Sequence, residues 1–286
     1  MVNNVVEVNN LSFRYRQAEF DSVSHLTFSV QRGSFCCIIG ENGAGKSTIC
    51  NALVGLIPHY FLGLMSGSIH INKLSVTEHS IAELSQQIGL VFQNPFNQLS
   101  YTATTVAEEL AYGLGNRGVP QSEMVEKVQQ IAKVMHIEEV LDQNPLELSG
   151  GQAQRVAFGS TFILEPQILV LDECTTQLDP LGADGIFKIV KKLNKQGVTV
   201  IMVDHDMERV AQYADHVLVL KNGQKKLEGS PREVFSDERL TTFGVEAPDY
   251  AVLSRQMVKA HYPISRIAIT EKEAAKDVRE ALHHED

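Results

Sequence analysis

One unbroken stretch, Gly40-Glu41-Asn42-Gly43-Ala44-Gly45-Lys46-Ser47-Thr48, constrains this chain more than any other. It completes the spacing Gly-x4-Gly-Lys-Ser, between an apolar run at 34–39 that reads as a buried strand and a segment at 46–55 that reads as a helix. Glycines let backbone N–H groups converge on phosphate oxygens, and the helix N-terminus adds partial positive charge. Lys46 supplies a point charge for the β and γ phosphates, and the Ser47 hydroxyl suits Mg2+. The pattern therefore implies binding and hydrolysis of ATP with Mg2+. Gly40, Asn42, Gly43, Ala44, Gly45, Lys46, Ser47 and Thr48 are its candidate ligands.

The flanking patterns point to an α/β fold. Segments at 5–8, 11–15 and 26–30 read as β, and 88–92 as a further strand. Thr105 and Glu108 fit a capping box that opens a largely helical stretch to about Ile137, and 152–164 continues helical until Pro166. Strands at 168–171 and 198–203 enclose a helix at 182–194, the order of a parallel sheet. After Pro248, Tyr250, Leu253 and Met257 recur at helical spacing. A second capping box, Thr270 with Glu273, precedes Ala274, Val278, Ala281 and Leu282 on one face.

Two further constellations carry chemistry. Asp172 and Glu173 end the buried run Ile168-Leu169-Val170-Leu171, where one carboxylate can hold a Mg2+ shell and the other can polarise an attacking water. Leu148-Ser149-Gly150-Gly151-Gln152 precedes a helix and makes a second anion site, one with no obvious use within a single chain.

Composition narrows the partners. A net charge of -10 repels phosphodiester backbones, and the longest basic runs are Lys191-Lys192 and Lys225-Lys226, so nucleic acid is not an expected partner. No run approaches the ~18 to 20 apolar residues that cross a bilayer. The N-terminus, Met1-Val2-Asn3-Asn4, lacks the pattern of a secretory leader. Cys36, Cys37, Cys50 and Cys174 lack metal-site spacing and read as small buried hydrophobes in a reducing compartment.

Taken in order, these motifs resemble the ATP-binding cassette (ABC) ATPases over about residues 5–235. The resemblance implies an α/β P-loop NTPase core of the ABC type at 1–235, with a helical subdomain at about 94–165. The helical patterns after Pro248 add a short C-terminal helical extension at 236–286, a candidate dimerisation element. The resemblance makes Tyr15 the residue that stacks on adenine, Gln93 a contact to Mg2+ or water, Asp172 the metal stabiliser, Glu173 the general base and His205 the γ-phosphate contact. Ser149, Gly150, Gly151, Gln152 and Asp179 would then serve ATP held by a second cassette, identical or paralogous. Two positions depart from the family: Cys174 stands where proline is usual, and Asp204 precedes His205 where a small or hydroxyl residue is common.

The segment Val91-Phe92-Gln93-Asn94-Pro95-Phe96-Asn97-Gln98-Leu99 is similar to that of energy-coupling factor (ECF) ATPases, which power uptake of vitamins and transition metals. Phe96 replaces the usual aspartate. That resemblance implies a peripheral subunit on the cytoplasmic face of the cell membrane, partnered by an integral T component and a substrate-binding S component. Glu108 and Glu109 are candidate contacts to basic groups of the T component, or else acids placed to suit a helix N-terminus. The tail would either keep two ATPases paired or pack on its own core. The competing readings are the ATPase of an importer served by a solute-binding protein, and a non-transport ABC ATPase acting on nucleic acid.

Overall fold

Alternate residues of the strand before the phosphate loop face opposite sides, and all are buried, so the loop grows out of a sheet covered on both faces. The strands, in chain order, are β1 (Asn4–Tyr15), β2 (Val23–Gln31), β3 (Phe35–Gly40), β4 (Gly63–Ile71) and β5 (Leu74–Ser75). They continue as β6 (Ile88–Val91), β7 (Ile168–Asp172), β8 (Thr199–Val203), β9 (His216–Lys221) and β10 (Gln224–Gly229). This computed structural model describes residues 3–283. Met1 and Val2 of the N-terminus, residues 284–286 of the extension and the Leu282 and His283 side chains lie outside the described residues.

One sheet has the order β10-β9-β3-β8-β7-β6 and is parallel except for the β9–β10 hairpin. The other, β2-β1-β4-β5, is antiparallel. Phe35, Cys37 and Ile39 pack into a core shared with the helical segments; Cys36 and Ile38 pack into a core shared with the antiparallel sheet and helix Lys46–Leu53. Each fully buried large side chain contributes about 1.5 to 3 kcal/mol, and both cores hold several.

Local chemistry adjusts the expected boundaries. The segments at 5–8 and 11–15 are one strand, β1, with a register shift between Val8 and Leu11 where Asn10 adopts a left-handed φ of 49. The helical stretch after Thr105 divides into Val106–Asn116 and Gln121–Met135, because Gly118 (φ 72) and Pro120 interrupt it. Helix Gly150–Phe162 starts earlier than expected because Ser149 caps it, and Pro180–Lys195 does so under Asp179. Strands β4, β5, β9 and β10 match no segment that the sequence pattern marks as β.

The tail forms helices Asp249–Lys259 and Glu271–His283. Ala251 and Ile269 join the main core, so one face of the hairpin packs on its own chain. Val252, Leu253 and Val258 stay exposed on another, so packing on its own core and pairing two ATPases are compatible roles. Glu273 accepts from the Ile269 N–H at 3.0 Å, one residue ahead of the expected cap, and from Arg232, which also donates to the Ile267 carbonyl. Replacing Arg232 by Ala should loosen this hairpin by about 1 to 2 kcal/mol. Hydrogen exchange should then quicken in 267–281 while β3, β7 and β8 keep their protection.

Candidate active site

The sheet topology gathers residues that are far apart in sequence. β3 ends at Gly40, β7 at Asp172 and β8 at Val203, with Asp172 paired to Val203 and Ile38 also level with Val203. Gln93 follows β6 and His205 follows β8, so all of these groups meet at the carboxyl ends of parallel strands.

Within the loop, Gly45 has φ 98, and a Cβ there would lie 2.5 Å from the Ser22 carbonyl oxygen, so only glycine fits. The Lys46 ammonium is buried. It donates to the carbonyls of Gly40 (3.0 Å) and Glu41 (3.1 Å) and sits 3.4 Å from Glu173 Oε1. Three donors converge on Glu173: Lys46, Gln93 Nε2 at 2.9 Å on Oε2, and His205 Nε2 at 2.6 Å on Oε1. Glu173 itself has φ 48, a strained conformation for a non-glycine residue that its neighbours hold in place.

The Ser47 hydroxyl donates to Asp172 Oδ1 at 3.2 Å. Burial pushes the Asp172 carboxyl above its ordinary value, an effect that the Ser47 hydrogen bond partly offsets and the Glu173 charge adds to. A hydroxyl, a buried carboxylate and the nearby Gln93 amide form a hard oxygen set that suits Mg2+, whose charge would offset the cost of ionising Asp172. Tyr15 reaches the same place: its hydroxyl lies 3.4 Å from Thr48 Oγ1, with its ring edge-on to Phe13 and Phe61.

A cleft of about 490 Å3 runs over the loop, lined by Ser22, Asn42, Gly43, Gly45, Lys46, Ser47, Thr48, Gln93 and Glu173. Ser149, Gly150, Gly151, Gln152 and Asp179 do not line it. Ser149 and Gln152 instead form a reciprocal capping box, and Asp179 accepts from the Gly182 N–H at 2.7 Å. Two contributors to the site escaped the sequence reading. Ser22 belongs to no motif. Gly223, whose N–H donates to the Ala44 carbonyl at 3.1 Å, follows Asn222, and that Asn-Gly pair is a hairpin signal that could have located it.

The two departures are structural. Cys174 is fully buried, and desolvation, then the nearby Asp204 charge, pushes its thiol well up, away from nucleophilic use. Asp204 accepts from Thr175 Oγ1 (3.1 Å) and the Asp206 N–H (2.8 Å), which brace the turn before His205. Glu108 and Glu109 are likewise occupied. Glu108 caps its helix, and buried Glu109 accepts from the Ser100 N–H and hydroxyl. Glu109 is thereby committed to Ser100, whereas Glu108 stays exposed, with Oε2 engaged by the Thr104–Thr105 cap. The face beside them holds an apolar cleft of about 340 Å3 whose walls include Leu56, Leu90, Phe92, Tyr112 and Leu164. Gln98 links the cleft to the site, accepting from the Phe92 N–H and donating to Ala157, Ser160 and Thr161.

Comparison with known proteins agrees with this geometry. Residues 23–176 match the family described as ABC transporter. The energy-coupling factor transporter ATP-binding protein EcfA1 of Bacillus subtilis is 38% identical over 280 residues, 96% of each chain. The structure of cbiO1 from Clostridium perfringens, part of the ABC transporter complex cbiONQ, superposes with a TM-score of 0.71 at 32% identity, over 84% of this chain and 93% of that one. A dimeric post-hydrolysis ATP-binding cassette bound to ADP and Pi gives 0.70 at 26% identity, over 79% of this chain and 99% of that one.

The buried Asp172 has a testable cost. Its carboxyl binds a proton more readily folded than unfolded, so ionisation lowers stability as pH rises through and above the ordinary value of 3.8. Asp172→Asn should therefore raise the urea midpoint of the nucleotide-free chain at neutral pH. The gain should shrink as pH falls towards 3.8, read by denaturation at a series of pH values.

Proposed function

The chain belongs to the ABC transporter family as an ATP-hydrolysing subunit of the energy-coupling factor type, and from that premise we propose how its site works and what it serves. The observation that carries the reading is the convergence of Lys46, Gln93 and His205 on Glu173 directly over the phosphate loop.

ATP lies with its phosphates in the Gly40 to Thr48 loop and its adenine by Tyr15. Lys46 neutralises the phosphate tail, and His205 turns from Glu173 to the γ-phosphate. Ser47, Asp172 and Gln93 would hold Mg2+, which when bound would supply charge neutralisation to the phosphates. Glu173, released from its donors, accepts the proton of the attacking water. Ser149, Gly150, Gly151, Gln152 and Asp179 complete the equivalent site on a second cassette. That division accounts for a helix N-terminus with the chemistry of an anion site that stands outside this chain's own cleft.

The second cassette, identical or paralogous, joins through the 1–235 ATPase domain, whose helices at about 94–165 carry the signature segment. The 236–286 extension helps hold the pair. The membrane partner is a T component whose cytosolic helix seats in the apolar cleft by Phe92 and Tyr112. Gln98 and Gln93 carry its movement to Glu173. The protein then works at the cytoplasmic face of the membrane, powering uptake of a vitamin or transition-metal ion selected by an S component. Among the described residues no helix is long and apolar enough to cross a membrane, which suits a peripheral subunit.

Glu173→Gln should still bind ATP but lose at least ~100-fold in turnover and accumulate an ATP-dependent dimer on gel filtration. Undiminished hydrolysis would remove the general base from the scheme. Tyr112→Glu, on the cleft wall and 48% exposed, should reduce co-purification with membrane subunits while leaving ATP affinity unchanged. Identifying the small integral subunit in that complex would name the transported compound.

A further inference from the structure

Beyond the ATPase domain, the short helical segment Glu238–Phe243 is tied to the end of β9, the strand paired with β3 where the phosphate loop begins. Its Leu240 is buried, and Lys221 donates to the Thr242 carbonyl at 2.7 Å. Lys221 ends β9, and the neighbouring Leu220 is paired with Gly40 at the start of the loop. The segment closes at Gly244, with φ 75 and its N–H donated to the Thr241 carbonyl at 3.1 Å. Val245 and Ala247 then enter the core. Gly244 itself is exposed, and the chain on either side of it is anchored at Thr242 and Val245.

The Glu41 side chain is seated on this glycine. A Cβ at Gly244 would lie 2.5 Å from Glu41 Oε2 and 3.1 Å from both its Cβ and Cδ. The same residue's carbonyl accepts the Lys46 ammonium at 3.1 Å and the Ala44 N–H at 3.1 Å. The Glu41 carboxylate does not line the phosphate cleft, although its backbone helps to build it. A carboxylate released beside bound triphosphate would repel it and would drag on the carbonyl that aligns Lys46.

We propose that Glu41 is a positioning residue through which the 238–244 segment sets the phosphate loop, with Gly244 as the seat that keeps its carboxylate out of the nucleotide cleft. This rests on the nucleotide site assigned above. The seat makes ATP affinity depend on a part of the chain outside the ATPase domain, so that movement of the C-terminal hairpin is felt at Lys46.

The test is a two-by-two cycle on the full chain, with ATP affinity measured by isothermal titration in Mg2+ and folding checked by urea denaturation. Gly244→Asn is the chosen probe, because asparagine tolerates left-handed backbone yet brings a Cβ into the seat. In the parent background it should weaken ATP binding about tenfold, and in the Glu41→Ala background by no more than about twofold. Should Gly244→Asn fail to fold, Lys221→Ala, which releases the Thr242 carbonyl without straining Gly244, carries the same cycle. Equal weakening in both backgrounds would assign the effect to strain at Gly244 and overturn the proposal, as would no weakening in either. A parent chain that does not bind ATP would overturn the nucleotide reading itself, and this proposal with it.

Discussion

Lys46 carries its ammonium to a place where only 4% of the residue meets solvent, and a charge so placed must be met by acceptors or it costs several kcal/mol. Much of the site's arrangement follows from that demand. The loop carbonyls of Gly40 and Glu41 turn inward to receive it, which the glycine backbone at Gly40, Gly43 and Gly45 permits. The remaining acceptor is Glu173, brought from the end of a strand on the far side of β8. Once Glu173 is there, Gln93 and His205 have a common partner, and residues from four parts of the chain become one cluster.

This cluster is arranged for a ligand at some cost to stability. Asp172 is buried with a carboxyl that burial pushes up, and Glu173 keeps a left-handed backbone. Neither is a choice that favours the fold by itself. Both place carboxylate oxygens at the phosphate loop, Asp172 on Ser47 and Glu173 on Lys46. The surrounding core, with β3, β7 and β8 buried along their whole lengths, is what can sustain such expense.

The site is also connected outward. On one side, Gln98 ties Phe92, beside Gln93, to helix Gly150–Phe162, the helix that Ser149 opens. On the other, the C-terminal segment leans on Glu41 and the Asn222-Gly223 hairpin grips Ala44. The phosphate loop is thereby fastened between a face suited to a membrane partner and a tail packed on its own core.

Much of this was legible in the sequence, because some interactions are local. The phosphate loop, the capping box at Thr105 and the buried apolar runs depend on neighbours a few residues away, so pattern alone determined that this chain is a parallel α/β nucleotide-binding protein. Contacts across the fold left no such trace. That Glu109 turns inward to Ser100, that Ser22 roofs the loop and that Glu41 rests on Gly244 depend on which strand ends lie side by side. Only the tertiary structure decided those, because the sheet order brings residues together without regard to their distance along the chain.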